Sequence, residues 1–234
     1  MIQNKSQPPE VLGEVLSIVF IGDFNPAIYQ PSWFAAKGLI REAEAESAQV
    51  SMIHPDYAGF STDWFKLEVT RDKFTITTTS VAFKTRLRDL VISAFNILSQ
   101  TPIRQMGINF DERLKFRSES DWHCFGHFLV PKTAWGKLLD KPGMRSVAIE
   151  GKRNDDIPGL IVILANPELS APYEATLRAN NHFENPKTNQ NGTPYFLQLI
   201  GDNYDRIMKE SADLLGELIG NFVEQTTFDD GSAT

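Results

Sequence analysis

Cysteine occurs once in the 234 residues, at Cys124. One thiol cannot close an intramolecular disulfide, so the fold must hold by burial alone and a reducing compartment is expected. Glycine-rich phosphate loops are missing: there is no G-x-G-x-x-G, no G-x-x-x-x-G-K-[ST] and no G-x-S-x-G. Those arrangements cradle a phosphate or expose a nucleophile, and without them nothing favours nucleotide-driven catalysis. No apolar run approaches the ~20 residues of a membrane span. The best, Val15 to Ile21, has the length of a strand. The opening residues MIQNKSQPPE carry one lysine and no apolar core, so they are not read as a secretory signal and a cytoplasmic protein is expected. Positive charge is in deficit, 23 Lys and Arg against 30 Asp and Glu, a net charge of −7. That balance weighs against nonspecific nucleic-acid binding, which depends on phosphate neutralisation. The densest basic run, Lys84, Arg86 and Arg88, would spread over about 200° of a helix and reads as a solvated face.

What is present is an ordinary globular composition, 41% apolar, with clear periodicity. Residues 1–10 read as a loose arm. Val11 to Ile21 is apolar on both faces, which predicts a central strand. Phe24 to Phe34 is a loop with four aromatics: Phe24, Tyr29, Trp33 and Phe34. It can serve as an exposed anchor for a partner or as the lid of its own core. Helical spacing predicts a helix over Ser32 to Ser47, weakened by Gly38, with Arg41, Glu42, Glu44 and Glu46 as solvated surface. Val50 to Asp63 reads as a connection. Period-two runs at Phe65 to Thr70 and Lys73 to Thr78 predict a hairpin. Val81 to Gln100 carries one wide apolar stripe and predicts a helix ended by Thr101-Pro102. Ile103 to Phe110 is the next strand.

That order, β-α-β-β-α-β, is the ferredoxin-like pattern, with two helices covering one sheet face and a polar face opposite. In the second half, a central helix starting near Ser118 or Ser120 is followed by three strands, at Met144 to Glu150, Leu160 to Leu164 and Tyr173 to Ala179. Asn180 to Pro194 reads as a long polar loop, Tyr195 to Ile200 as a short strand, and about Asp202 to Gln225 as a helix capped by Asp202. The expected class is α+β: a ferredoxin-like unit over residues 11–116 packed against a second antiparallel α+β unit over 117–225, with flexible termini at 1–10 and 226–234.

Chemistry-bearing residues concentrate in DWHCFGHFLVPKTAW, residues 121–135. His123 and His127 are four apart and share a helix face, so both could reach one zinc ion, with His182, Glu184 or Cys124 available as a third ligand. Cys124 stands where H-E-x-x-H would place its glutamate. Trp122, Phe125 and Leu129 form an apolar stripe extended by Cys124 and Phe128, which makes the segment a packed hinge with Cys124 a small core hydrophobe and Pro131 the start of a second helical turn. The carboxylate pairs Asp155-Asp156 and Asp229-Asp230 have no neighbouring base and read as solvated turn and tail.

The segments FNPAIYQPSWF, LRDLVISAFNILSQTPIRQMGINF, WHCFGHFLVPKTAW, PGMRS and NNHFE, in that order, resemble a sporadically distributed family of uncharacterised bacterial proteins of similar length. The resemblance covers most of residues 15–184. It implies a bacterial origin and the patchy distribution of accessory or defence loci, and it transfers no catalytic residues. The expected function is therefore a non-catalytic interaction or oligomerisation protein, resembling an accessory or antitoxin component, that meets a protein partner or a second copy through an open sheet face or the aromatic loop. Two alternatives stand beside it: a metal-binding enzyme or sensor using His123, His127 and His182, and an RNA-binding module on the ferredoxin-like sheet. No cofactor other than zinc is suggested.

Overall fold

The computed structural model describes residues 7–186 and 191–228. The expected arm at residues 1–6, the tail at 229–234 with Asp229-Asp230, and residues 187–190 of the expected polar loop lie outside the described residues. Nine strands form one antiparallel sheet: β1 (Glu10–Gly22), β2 (Gln49–His54), β3 (Tyr57–Ser61), β4 (Lys66–Thr70), β5 (Lys73–Thr78), β6 (Ile103–Lys115), β7 (Val147–Lys152), β8 (Leu160–Glu168) and β9 (Glu174–Glu184). Their order across the sheet is β2-β3-β4-β5-β1-β6-β9-β8-β7. Among the described residues five α-helices accompany them: α1 (Pro31–Ala36), α2 (Glu42–Glu46), α3 (Lys84–Ile97), α4 (Glu119–Leu129) and α5 (Thr193–Phe228). The architecture is α+β. Among the described residues no helix is long and apolar enough to cross a membrane.

β1 stands at the middle of the sheet, as its two apolar faces require. One face carries Leu16, Ile18 and Phe20, all fully buried. Alternation places Ile108 and Met106 of β6, Phe74 and Ile76 of β5, and Leu177 and Phe183 of β9 on that same side. Helices α3 and α5 lie over it. Phe20, Phe74 and Phe95 meet edge to face or stacked at centroid distances of 4.8–5.9 Å, a geometry that adds to the area these rings remove from water. β6 pairs with β1 on one side and β9 on the other, so the sheet runs without a break across residue 116.

Several expected elements change. The helix read over Ser32 to Ser47 is broken: Gly38 adopts φ 67°, a left-handed conformation that glycine takes at no steric cost. Helix α2 then restarts with the backbone N–H of Arg41 donating to Glu44. Val50 to Asp63 contains the hairpin β2-β3 rather than a plain connection. β2 is exposed along its whole length, so it carries none of the alternation that marks a half-buried strand. Residues 180–184 extend β9, and Tyr195 to Ile200 is the first part of α5, not a strand. Helix α5 starts nine residues before Asp202: Asn191 accepts from the N–H of Thr193 at 2.9 Å and donates to the carbonyl of Ser99 at 2.7 Å. Gly192 is required there, because a Cβ would fall 2.4 Å from the Ile103 carbonyl oxygen.

The surface charges assigned from sequence are largely paired. Glu44 is only 4% exposed. It accepts from Trp64 Nε1 at 2.9 Å, Arg86 at 2.7 Å and Arg41 Nε at 3.1 Å, and Arg86 stacks on Trp64. Lys84 and Arg88 both engage Asp205 of α5. The run Lys84, Arg86 and Arg88 therefore ties α3 to two other helices instead of forming a free basic face. Asp155, read as turn surface, binds Arg153, which is itself nearly enclosed.

Toward the far end of β1 and β6, Glu14 stands opposite Glu112. Burial, and then the Glu14 charge, raise the Glu112 carboxyl above the usual carboxylate range. A raised folded pKa contributes stability that is complete below the ordinary value of about 4.5 and is lost as pH rises through the folded value. Glu112→Gln is expected to leave the melting temperature at pH 4 nearly unchanged and to raise it at pH 7 by ~2–4 °C, the shift from about 1 kcal/mol in a chain of this size. Thermal melts at the two pH values check the sign.

Candidate docking surface

The three histidines do not come together. Ser118 caps α4 by accepting from the N–H of Asp121, and Phe125 packs on Phe116 and Phe222 at 5.1 and 5.2 Å. His123 and His127 point outward from this helix. His123 lies 3.6 Å from Glu119. Partial burial, then the charges of Lys132 and His123, lower the His127 imidazole below its usual range. His182 belongs to β9 and opens onto the other sheet face, 3.7 Å from Glu184. Trp122 Nε1 donates to the Glu174 carbonyl at the start of β9, eight residues before His182. At ~3.3 Å per residue that is about 26 Å along the strand. Among the described residues no group of three His, Cys, Asp or Glu side chains is placed to hold a metal. Cys124 is exposed, which corrects its reading as a core residue: on α4 only Phe125 is buried.

The aromatic loop is a lid. Phe24, Tyr29 and Phe34 are buried, and Trp33 is half-buried against them. Tyr29 and Phe24 lie 5.6 and 6.2 Å from Phe74, and Phe34 lies 5.6 Å from Phe60. These four side chains complete the chain's own core under β3 and β5, so in this conformation they are not an exposed anchor.

Two surfaces remain. The first is the sheet face without helices, where Ser17, Thr75, Thr77, Gln105 and Asn109 surround a shallow cleft, with Lys73 and Arg178 at its margins. Its polar groups largely satisfy one another: Asn109 donates to Ser17 at 2.9 Å, Arg178 grips Asp111 through two hydrogen bonds, and Gln105 reaches Glu184. The residues lining this cleft include no Phe, Tyr or Trp; His182 and Arg178 are the planar side chains there.

The second lies on the helical side. α5 packs over β6 and β9, and the sheet extends past it by two more strands, β8 and β7. Their alternating apolar side chains, Val147 and Ile149 opposite Ala165 and Ile163, project to the side where helices elsewhere cover the sheet. Here an open groove of about 300 Å³ remains, walled by Leu214 and Leu218 of α5 and closed at one end by Leu129 of α4. Ile149 is 66% exposed. Trp135, Leu138 and Leu139, in the connection that feeds β7, are exposed as well. β7 is the last strand of the sheet, and its ladder with β8 has no bulge. The opposite edge differs: β2 is bulged between Val50 and Met52, a distortion that blunts an edge. Contiguous exposed apolar surface next to an unblunted edge makes this face the candidate docking surface.

The β7-β8 hairpin is held in place by a buried polar staple. Arg153, whose side chain is 4% exposed, binds Asp155 of its own turn, Asn181 of β9 and Glu210 of α5. Asn181 is fully buried and donates to the Ile108 carbonyl at 3.0 Å and to Ser211 at 2.8 Å. The Arg153 guanidinium, followed by smaller hydrogen bonds, lowers the Asp155 carboxyl below its usual range. Sequence reading found β7 and β8 as strands but missed the groove, because coverage of a face depends on where α5 lies. The one local signal was SVAIEGK, which alternates and has no helix-forming segment beside it to cover it. The scan against protein-family models finds no match, and the search of curated proteins also finds none.

Proposed function

We propose that this chain is a non-catalytic interaction protein whose working surface is the uncovered apolar ledge of β7 and β8 beside α5. The observation that carries this reading is Ile149, two-thirds exposed on a strand whose neighbours Val147 and Ile163 line the same open groove. Leaving one large aliphatic side chain in water forgoes about 1.5–3 kcal/mol of burial, and a partner would recover it. Such a partner is read as the other member of an accessory or defence pair, encoded beside this chain; what supports this is the resemblance to a sporadically distributed bacterial family. The N-terminal portion is read as a ferredoxin-like unit. Its support is the neighbour order β4-β5-β1-β6 with α1, α2 and α3 in the crossovers, to which the β2-β3 hairpin is an edge addition.

The test mixes the purified chain with the protein encoded by the adjacent gene and measures mass by light scattering. A stoichiometric complex, or a defined oligomer of the chain alone, is expected, and Ile149→Asp should weaken it at least tenfold with the fold intact by circular dichroism. A complex or oligomer that survives Ile149→Asp unchanged overturns the reading, as does a chain that remains monomeric and alone.

A further inference from the structure

We infer that the occupant of the ledge is a single amphipathic α-helix with a basic flank, contributed by another protein. The inference rests on reading the ledge as a docking surface and adds what docks there. Width argues first. β8 and β7 extend past β9 by two strand spacings of ~4.8 Å, so the ledge is ~10 Å across, the diameter of one helix. β7 runs six residues, ~20 Å at strand rise, which a helix of about 13 residues spans. The floor is Val147, Ile149 and Ile163 and the wall is Leu214 and Leu218, the pairing of sheet and helix that elsewhere in this chain receives α3 and α5.

Other occupants fit less well. A strand added to the edge of β7 would satisfy its free backbone groups, but its own side chains would only widen the apolar floor. A second copy joined edge to edge has the same defect: four strands, two from each copy, would separate the two α5 helices by more than ~20 Å. Helices that pack on one another lie about 8–10 Å apart. The groove would persist at the centre of such a dimer.

Charge supplies the flank. Glu217 lines the groove, and none of its lining residues is Lys or Arg. The chain as a whole carries −7. A docking helix therefore gains by placing Lys or Arg along its α5-facing side and loses by placing Glu there.

The test uses three labelled 14-residue peptides and fluorescence anisotropy at physiological salt. One carries Leu at i, i+3, i+4 and i+7 spacing with Lys on its flanks, the second replaces Lys by Glu, and the third scrambles the Lys and Leu order. The first should bind at least tenfold more tightly than the other two. The neutral pair Ile149→Thr and Leu214→Gln should remove that advantage, and Glu217→Lys should shift preference toward the Glu peptide. Ile149→Thr alone serves if the pair does not fold. Equal binding of the ordered and scrambled Lys peptides, or binding that the ledge variants leave unchanged, overturns the inference. A native homodimer that Ile149→Asp dissociates also overturns it, while leaving the ledge as the working surface. A complex indifferent to Ile149→Asp removes both readings.

Discussion

Replacing Glu44 by alanine is expected to lower the melting temperature by ~5–10 °C, from a loss of about 2–3 kcal/mol. Glu44 collects Trp64, Arg86 and Arg41 around one nearly enclosed carboxylate. Removing it strands the Trp64 indole N–H and releases Arg86 from its position over the Trp64 ring. The loss is set below the largest values for broken buried pairs because Arg41 and Arg86 remain partly open to water. The same carboxylate gives a pH signature. Burial alone would raise its pKa, but the backbone and side-chain hydrogen bonds from Arg41, then those from Arg86 and Trp64, outweigh it and pull the value down to about 2. A depressed folded pKa contributes stability that is complete above the ordinary value of about 4.5 and is lost as pH falls toward 2. Glu44→Gln keeps the shape and one acceptor but not the charge. Its deficit against the native chain should be full at pH 6 and shrink steadily between about pH 4.5 and 2. Thermal melts across that range decide it, and a deficit independent of pH would show that the charge is not what stabilises the site.

Arg153→Ala is expected to cost about 3 kcal/mol, or ~6–12 °C, at neutral pH. The guanidinium is enclosed between Asp155, Glu210 and the buried Asn181. Without it two carboxylates face each other across the vacated space and the Asn181 carbonyl loses its donor. Glu210 is about one-third exposed and can turn toward water, which holds the loss below that of a fully buried triad. Arg153→Lys should recover little, because an ammonium cannot present the planar fork that meets Asp155 through two nitrogens. The change also has a functional readout. Arg153 joins the β7-β8 turn to α5, so its removal should loosen the ledge before the rest of the sheet. Hydrogen exchange of β7 and β8 amides is expected to rise well ahead of that of β1 and β6, and partner docking to weaken in parallel. Uniform protection loss across all nine strands would show that the staple serves global stability only.

Local patterns carried much of this fold. Period-two alternation located the β4-β5 hairpin, and the apolar stripe located α3. The double-sided apolar run of β1 marked it as central, because a strand flanked by neighbours on both sides has little polar surface to keep. Polarity misled where burial was decided from a distance. Glu44 looks like solvated surface in sequence but accepts from Trp64, twenty residues on, and from Arg86; Asp155 looks the same but meets Arg153, which Asn181 and Glu210 hold from far along the chain. Asn180 to Glu184 looks like loop, yet it is strand, since Asn181 is satisfied from β6 and α5 and the outward positions open onto a polar face. The helix through Gly38 was broken by one left-handed residue that propensity alone only weakens.

The sequence by itself determined the α+β class, the central strand, most strand and helix locations and the single free thiol, since these follow from short-range periodicity and residue counts. Only the tertiary structure decided what those elements cover. Whether His182 meets His123, whether the aromatics at 24–34 close a core or face a partner, and whether Ile149 is buried all depend on pairings between segments tens of residues apart. Those pairings are selected by the total area buried and the polar groups satisfied together, quantities that no local window contains. The ledge beside α5 is the clearest instance, because β7 and β8 carry a core-like pattern and no helix among the described residues covers it.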